Sequence, residues 1–174
     1  MTEAVTISTP LNTPIDDARV VRAIQLIWRE ADLLDRKDYI TWNELYADEG
    51  IYVIPVDSET DDFDNNLNMV YDDARMRALR VQRLVEGYAI SAVDSARTVR
   101  TVSRFVPGEV SEDIVSLRAG QVLVAHKRGN YDLWAADVDY VIRLGQTPVD
   151  DRIVRKAIRL IDAGDVVPAA GFLL

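Results

Sequence analysis

The chain has 174 residues, 48% of them hydrophobic and 28% charged, which suits one globular domain able to bury roughly two-thirds of its unfolded surface. Its net charge of −9 and sequence pI near 4.6 set it against phosphate backbones, so no nucleic-acid partner is expected. Cysteine is absent and His126 is the single histidine, which excludes disulfide scaffolds, thiolate metal sites, cysteine nucleophiles and any centre needing two imidazoles from this chain.

Residues 1–12 read as an N-terminal arm rich in Thr and Ser, and residues 13–174 as a single α+β domain. The arm lacks a basic stretch followed by an apolar one, and nowhere does the chain approach the ~20 apolar residues of a membrane helix. A soluble cytoplasmic protein without a membrane partner is therefore expected. Thr13 can cap a first helix, with Pro14 at its first position and Asp16 and Asp17 near its N-terminus. Val20, Ile24, Ile27, Ala31 and Leu34 then recur at helical spacing. A short second helix spans Tyr39 to Ala47, capped by Asp38, with Trp42 and Leu45 on one face.

Ile51 to Ile54, bounded by Gly50 and Pro55, predicts a strand, and residues 57–70 a loop. Residues 38–74 hold eleven acids and no Lys or Arg, whereas residues 75–104 carry seven arginines against Glu86 and Asp94. A third helix is expected from Asp72 to Val85. Further strands are expected at Arg97 to Val106, at Ile114 to Arg128 with a break near Ala119–Gly120, at Asp137 to Leu144 and at Arg152 to Ile161. Gly129–Asn130 is the turn signal between two of them. Three helices with one strand threaded between them, followed by four long strands, predict an α+β fold. Its strongly curved, mostly antiparallel sheet wraps over the helices.

Four features invite chemistry. Asp57-x-Glu59-x-Asp61 has the spacing of a calcium loop, but Asp62 stands where such a loop needs Gly and Asn68 where it needs a bidentate Glu. A solvated acidic loop, or one facing a basic partner, is expected instead. His126 would be a catalytic acid–base residue only with a carboxylate such as Asp35 or Asp139 in reach. Strand period sets Arg97 opposite Arg100 and Arg104; the three are read as residues of intramolecular pairs and of a subunit interface, their triple charge reversal disturbing assembly more than folding. The aromatics Trp28, Trp42, Tyr52, Trp134 and Tyr140 are assigned to core or interface. No nucleophile elbow, phosphate loop or dinucleotide fingerprint is present.

Several segments in order resemble the small (beta) subunit of aromatic-ring-hydroxylating dioxygenases. They begin with Glu30-Ala31-Asp32-Leu33-Leu34-Asp35, Tyr39-x-x-Trp42-x-x-Leu45-Tyr46-Ala47-Asp48 and Ile51-Tyr52-Val53-Ile54-Pro55. Tyr71-Asp72-Asp73-Ala74-Arg75-Met76-x-x-Leu79-Arg80-Val81-x-Arg83-Leu84 is similar to the family's third-helix signature. Ser95-x-Arg97-Thr98-x-Arg100-x-Val102-Ser103 and the stretch from Arg152 to Asp162 resemble two of its strands. The chain departs from the family at Ala92-Val93-Asp94, where prolines are frequent, and at Arg104, where asparagine is.

The resemblance implies a cone-shaped fold like nuclear transport factor 2. It also implies a non-catalytic subunit associated with a larger alpha subunit, commonly as a trimer of alpha–beta pairs. The Rieske 2Fe-2S cluster and mononuclear Fe(II) would belong to that partner, with no cofactor in this chain. The alternative is a stand-alone cyclase, isomerase or dehydratase of the same fold centred on His126. A ligand-binding dimer without chemistry is a third reading.

Overall fold

The computed structural model describes residues 13–91, 96–163 and 172–174, so the expected arm at 1–12 lies outside the described residues. Helix α1 (Ala18–Asp35) is capped by the Asp17 side chain, which accepts from the Arg19 backbone N–H. The expected cap, Thr13, lies further upstream because Pro14 to Asp17 form a separate turn closed by the Asp17 N–H on the Pro14 carbonyl. At the other end Lys37 takes a left-handed φ of 61°. The Lys37 and Asp38 N–H groups then turn back onto the Leu34 and Leu33 carbonyls. That reversal leaves Asp38 free to cap α2 (Tyr39–Glu44) through the Thr41 N–H.

Strand β1 (Tyr46–Pro55) begins five residues before the expected strand and shortens the second helix. A second strand, β2 (Asn68–Asp72), occupies the end of what reads as a loop and precedes α3 (Ala74–Ser91). The chain then runs as a meander: β3 (Arg97–Val110), β4 (Ile114–Lys127), β5 (Asn130–Arg143) and β6 (Arg152–Leu160). The sheet order is β2-β1-β6-β5-β4-β3; β6 pairs parallel with β1 and every other pairing is antiparallel. The α+β architecture with a curved, mostly antiparallel sheet over three helices is thus the observed one. Among the described residues no helix is long and apolar enough to cross a membrane.

Strict alternation fixes the two faces of the sheet. Val115, Leu117, Ala119, Leu123 and Ala125 of β4 and Trp134, Val138, Tyr140 and Ile142 of β5 bury against Val20, Ile24, Ile27 and Leu34 of α1. The break expected in β4 sits instead in its neighbour. Strand β4 runs unbroken while β3 shifts register between Ser103 and Val106, with Arg104 at φ 55°. Gly120 makes room for that bulge, since a Cβ there would stand 3.1 Å from the Arg104 guanidinium. The hairpin turn also lies one residue earlier than expected: Arg128 and Gly129 take φ of 50° and 82°, and Asn130 already belongs to β5.

The acidic loop turns inward on its own chain. Phe63 packs on Val53 and Ala157 on the outer face of the sheet, beneath the guanidinium groups of Arg155 and Arg159. Arg159 ties the loop down by donating to the Ser58 and Thr60 carbonyls and to Asp61 at 2.5 Å. At β1 the register against β6 shifts between Tyr46 and Ile51, and buried Arg77 of α3 satisfies the carbonyls exposed by that shift, Ala47 and Gly50.

Gly50 sits at the tightest point of this bulge, where a Cβ would lie 2.8 Å from the Ala47 and Ile153 carbonyl oxygens. Gly50→Ala is therefore expected to cost about 1–3 kcal/mol. Gly87→Ala on open helix surface is expected to be neutral or to stabilise by up to about 1 kcal/mol. Thermal unfolding of the two variants side by side checks the contrast; equal midpoints would remove the steric argument.

Candidate functional site

The interior of the cone is organised by a carboxylate. Glu30 occupies an inward position on α1, between Ile27 and Leu34, and is 1% exposed. Its Oε1 accepts from Trp42 Nε1 of α2, Tyr46 OH of β1 and Lys156 Nζ of β6, each at 3.1 Å. Its Oε2 accepts from Tyr140 OH of β5 at 3.2 Å. Lys156, buried on the inner face, also donates to the Leu174 backbone oxygen at 3.1 Å and lies within 6 Å of the Tyr52 and Tyr140 ring centres. Tyr52 OH donates to the Leu174 oxygen at 3.2 Å and accepts from the Leu174 N–H at 3.1 Å.

Burial dominates the acid–base properties of this set. It pulls the Lys156 ammonium below the usual lysine range, an effect the Glu30 charge partly offsets. The Tyr46 and Tyr140 hydroxyls are pushed well above the usual tyrosine range, first by burial and then by the neighbouring Glu30 charge. Tyr52 is raised by burial too. None of these phenols is poised for proton transfer near neutrality. Donors from four different elements meet the Glu30 carboxylate, three on Oε1 and one on Oε2, so the arrangement clamps the fold.

A second buried pair lies beside it. Arg100 of β3 donates through Nη1 to Asp35 Oδ1 at 2.8 Å, and its backbone N–H reaches Asp35 Oδ2 at 2.9 Å. Thr98 Oγ1 also donates to Asp35 Oδ1 at 2.8 Å, and Arg100 Nη2 donates to the Leu173 carbonyl at 2.6 Å. The three arginines assigned together from sequence are thus separated. Arg97 is exposed, Arg100 is inside the cone, and Arg104 sits on the outer face against Asp137. Reversing all three charges would break the buried Asp35–Arg100 pair and disturb folding first, contrary to the expectation from sequence.

His126 is on the outer face near the end of β4, in tilted contact with Tyr131, ring centres 4.7 Å apart and planes at 46°. Neither proposed carboxylate is brought to it. Asp35 is engaged by Thr98 and Arg100 on the helix side of the sheet. Asp139 lies opposite Arg118, eight residues along β4, or about 27 Å away; it accepts from Arg159. Of the acidic positions 57, 59 and 61, Asp57 accepts from the Glu59 backbone N–H, Glu59 from the Ser58 hydroxyl and Asp61 from Arg159. Among the described residues no group of three His, Cys, Asp or Glu side chains is placed to hold a metal.

Glu30 and Lys156 were not singled out by motif reading. Their signal was present, as a carboxylate in register with an apolar helix stripe and a lysine between Ile153 and Ile158 in a strand. Glu30→Gln keeps the acceptor shape but leaves the Lys156 charge unmatched, and is expected to cost about 3–5 kcal/mol in urea unfolding. The double variant Glu30→Gln with Lys156→Met should recover at least half of that loss. A cost under about 1 kcal/mol for Glu30→Gln would mean that the pair does not hold the cone together.

The sequence profile described as "Ring hydroxylating beta subunit" matches residues 29–165. No curated protein matches the chain by sequence. Among solved structures, the chain is similar to the beta subunit of the benzoate 1,2-dioxygenase from Burkholderia mallei. The TM-score is 0.72, with 19% identity over 90% of this chain and 97% of that one. Naphthalene 1,2-dioxygenase with indole bound in its active site gives a TM-score of 0.68 and 20% identity over 82% and 79%. An NTF2-like protein with a cystatin-like fold from Novosphingobium aromaticivorans gives 0.57 and 17% over 88% and 95%. At these identities the structural likeness establishes a shared fold.

Proposed function

The chain belongs to the ring hydroxylating beta subunit family, and on that premise we propose that it is the non-catalytic beta subunit of a Rieske non-haem iron aromatic-ring-hydroxylating dioxygenase. Its partner is a larger alpha subunit, assembled with it as a trimer of alpha–beta pairs. In that complex O₂ is added to an aromatic ring using electrons derived from NAD(P)H.

The observation that carries the division of labour is the donor inventory. A Rieske cluster needs two cysteines and two histidines, and the mononuclear iron needs two histidines and a carboxylate. With no cysteine and one histidine, the residues present fit neither group. Both centres are assigned to the alpha subunit, and no chemical step is routed through this chain. The interior polar groups support the same reading, because Glu30, Lys156 and Asp35 are committed to one another and to the fold.

The contact surface is assigned to the outer face of β3, β4 and β5. Val99, Val124 and Leu133 form one cross-strand row there, with Val122 and Tyr131 in the adjoining rows. All five are exposed, Leu133 by 68% and Val99 by 68%. An apolar sheet face of this kind marks a protein partner. The other half of the outer face is already covered by the Phe63 loop.

Co-expression with the alpha subunit tests both assignments. Val124→Asp with Leu133→Asp is expected to lower the co-purified alpha subunit at least tenfold while the chain's own melting temperature stays unchanged. His126→Ala is expected to leave turnover of the reconstituted complex within about twofold, since loss of a general acid–base group costs about 10²–10⁴. Full retention of the alpha subunit by the double variant would refute the surface. A fall of two orders of magnitude with His126→Ala would place chemistry in this chain.

A further inference from the structure

Part of the inner face is not satisfied as the Glu30 cluster is. The strand register sets Arg100, Leu123 and Trp134 in one row across β3, β4 and β5, with Val102, Gln121 and Ala136 in the next. Arg100 is 7% exposed, Gln121 3% and Trp134 7%. Among the described residues Arg100 Nε, Gln121 Oε1 and Trp134 Nε1 have no hydrogen-bond partner. Native interiors pair such atoms, and the two donors among them, Arg100 Nε and Trp134 Nε1, lie in one cross-strand row and ask for an occupant that accepts.

The shape of that occupant is given by what lies over the patch. Phe172 meets Trp134 edge-on with ring centres 6.0 Å apart. The Leu173 carbonyl accepts from Arg100 Nη2, and the Leu174 oxygen accepts from Lys156 and Tyr52. Residues 172–174 therefore present an aromatic ring followed by oxygen acceptors. A carbonyl is an incomplete match to Arg100, however. Its Nη1 is held by Asp35, while Nε and Nη2 form the remaining edge of the guanidinium fork. The carbonyl takes only the Nη2 half of that edge. A carboxylate would take both N–H groups in the bidentate geometry that a guanidinium prefers. The indole N–H of Trp134, on β5 beyond Leu123 of β4, adds another donor in the same cross-strand row.

We propose that the inner face around Arg100 and Trp134 is a binding site for an aryl-bearing monocarboxylate, which competes with the chain's own residues 172–174 for the Arg100 Nε–Nη2 edge and the face of Trp134. The site is on the helix side of the sheet and is independent of the assembly surface on the outer face.

The test uses the full chain, ¹⁵N-labelled and titrated with 3-phenylpropanoate, following the indole N–H signal of Trp134, which Trp134→Phe identifies by its disappearance. A saturable shift is expected in the unchanged chain, with binding at least tenfold tighter in Phe172→Ala, where the internal competitor is weakened. Phe172→Leu keeps apolar volume and should tighten binding to a smaller degree if the alanine variant folds poorly. Arg100→Lys retains a cation for Asp35 but lacks the forked edge, and should weaken binding at least tenfold. 3-Phenylpropanol, which lacks the carboxylate, should bind at least tenfold more weakly than the acid. The absence of a saturable shift would leave water as the occupant and overturn the proposal. So would equal binding of acid and alcohol, or affinity unchanged across the Phe172 and Arg100 variants.

Discussion

The Glu30 carboxylate is the contact on which the cone depends. A single buried anion collects donors from α2 and β1, next in sequence, and from the distant β5 and β6, so four elements are referred to one point on α1. An ion pair in such a setting is costly to desolvate and contributes little beyond what a well-packed apolar group would. Its consequence is register. Tyr140 and Lys156 stand opposite each other on β5 and β6, and both must face α1 for Glu30 to be satisfied. A one-residue slip of either strand would turn its polar group to the outer face and leave the carboxylate unmatched.

The opposed charge windows of the sequence find a physical use in the same way. Arg77 and Arg80 of α3 turn back onto the acidic segment before them, Arg80 pairing with buried Asp72 and Arg77 filling the β1 bulge. Of the loop's acids, Asp61 is held to the sheet by Arg159, with Phe63 as the apolar pin beneath. In a chain of net charge −9, Arg77, Arg80 and Arg100 thus turn inward or onto the acidic segment, while Arg97 and Arg104 stay outside. Exposed apolar surface is left on one half of the sheet's outer face, where a larger partner can be received.

The helices and the meander were legible because their patterns are local. The stripe from Val20 to Leu34 and the alternation around Val138 to Leu144 each repeat at the period of their element. What escaped was decided at a distance. Strand β2 is only five residues long, with a polar residue at each end, and exists because β1 offers it an edge. The β3 bulge at Arg104 was displaced in expectation onto Gly120, the residue that makes space for it. At the site, strand period separates Arg97 from Arg100 but groups Arg104 with Arg100, because the bulge after Ser103 is invisible to it. Nor does that period reveal what pairs with Arg100. Its partner Asp35 lies 65 residues upstream on a helix, beyond the reach of strand periodicity. Glu30 was visible as part of a family-like segment, but its role needed the strands in place.

Family membership and the donor inventory underlie the proposal that this subunit works through assembly with a larger partner. The most direct measurement is a pull-down of the tagged chain from its own host, read by mass spectrometry and by visible absorption of the eluate. The account predicts a stoichiometric larger chain and iron–sulfur absorption that stays with that chain when the two are separated. A colourless homo-oligomer without a partner would contradict it.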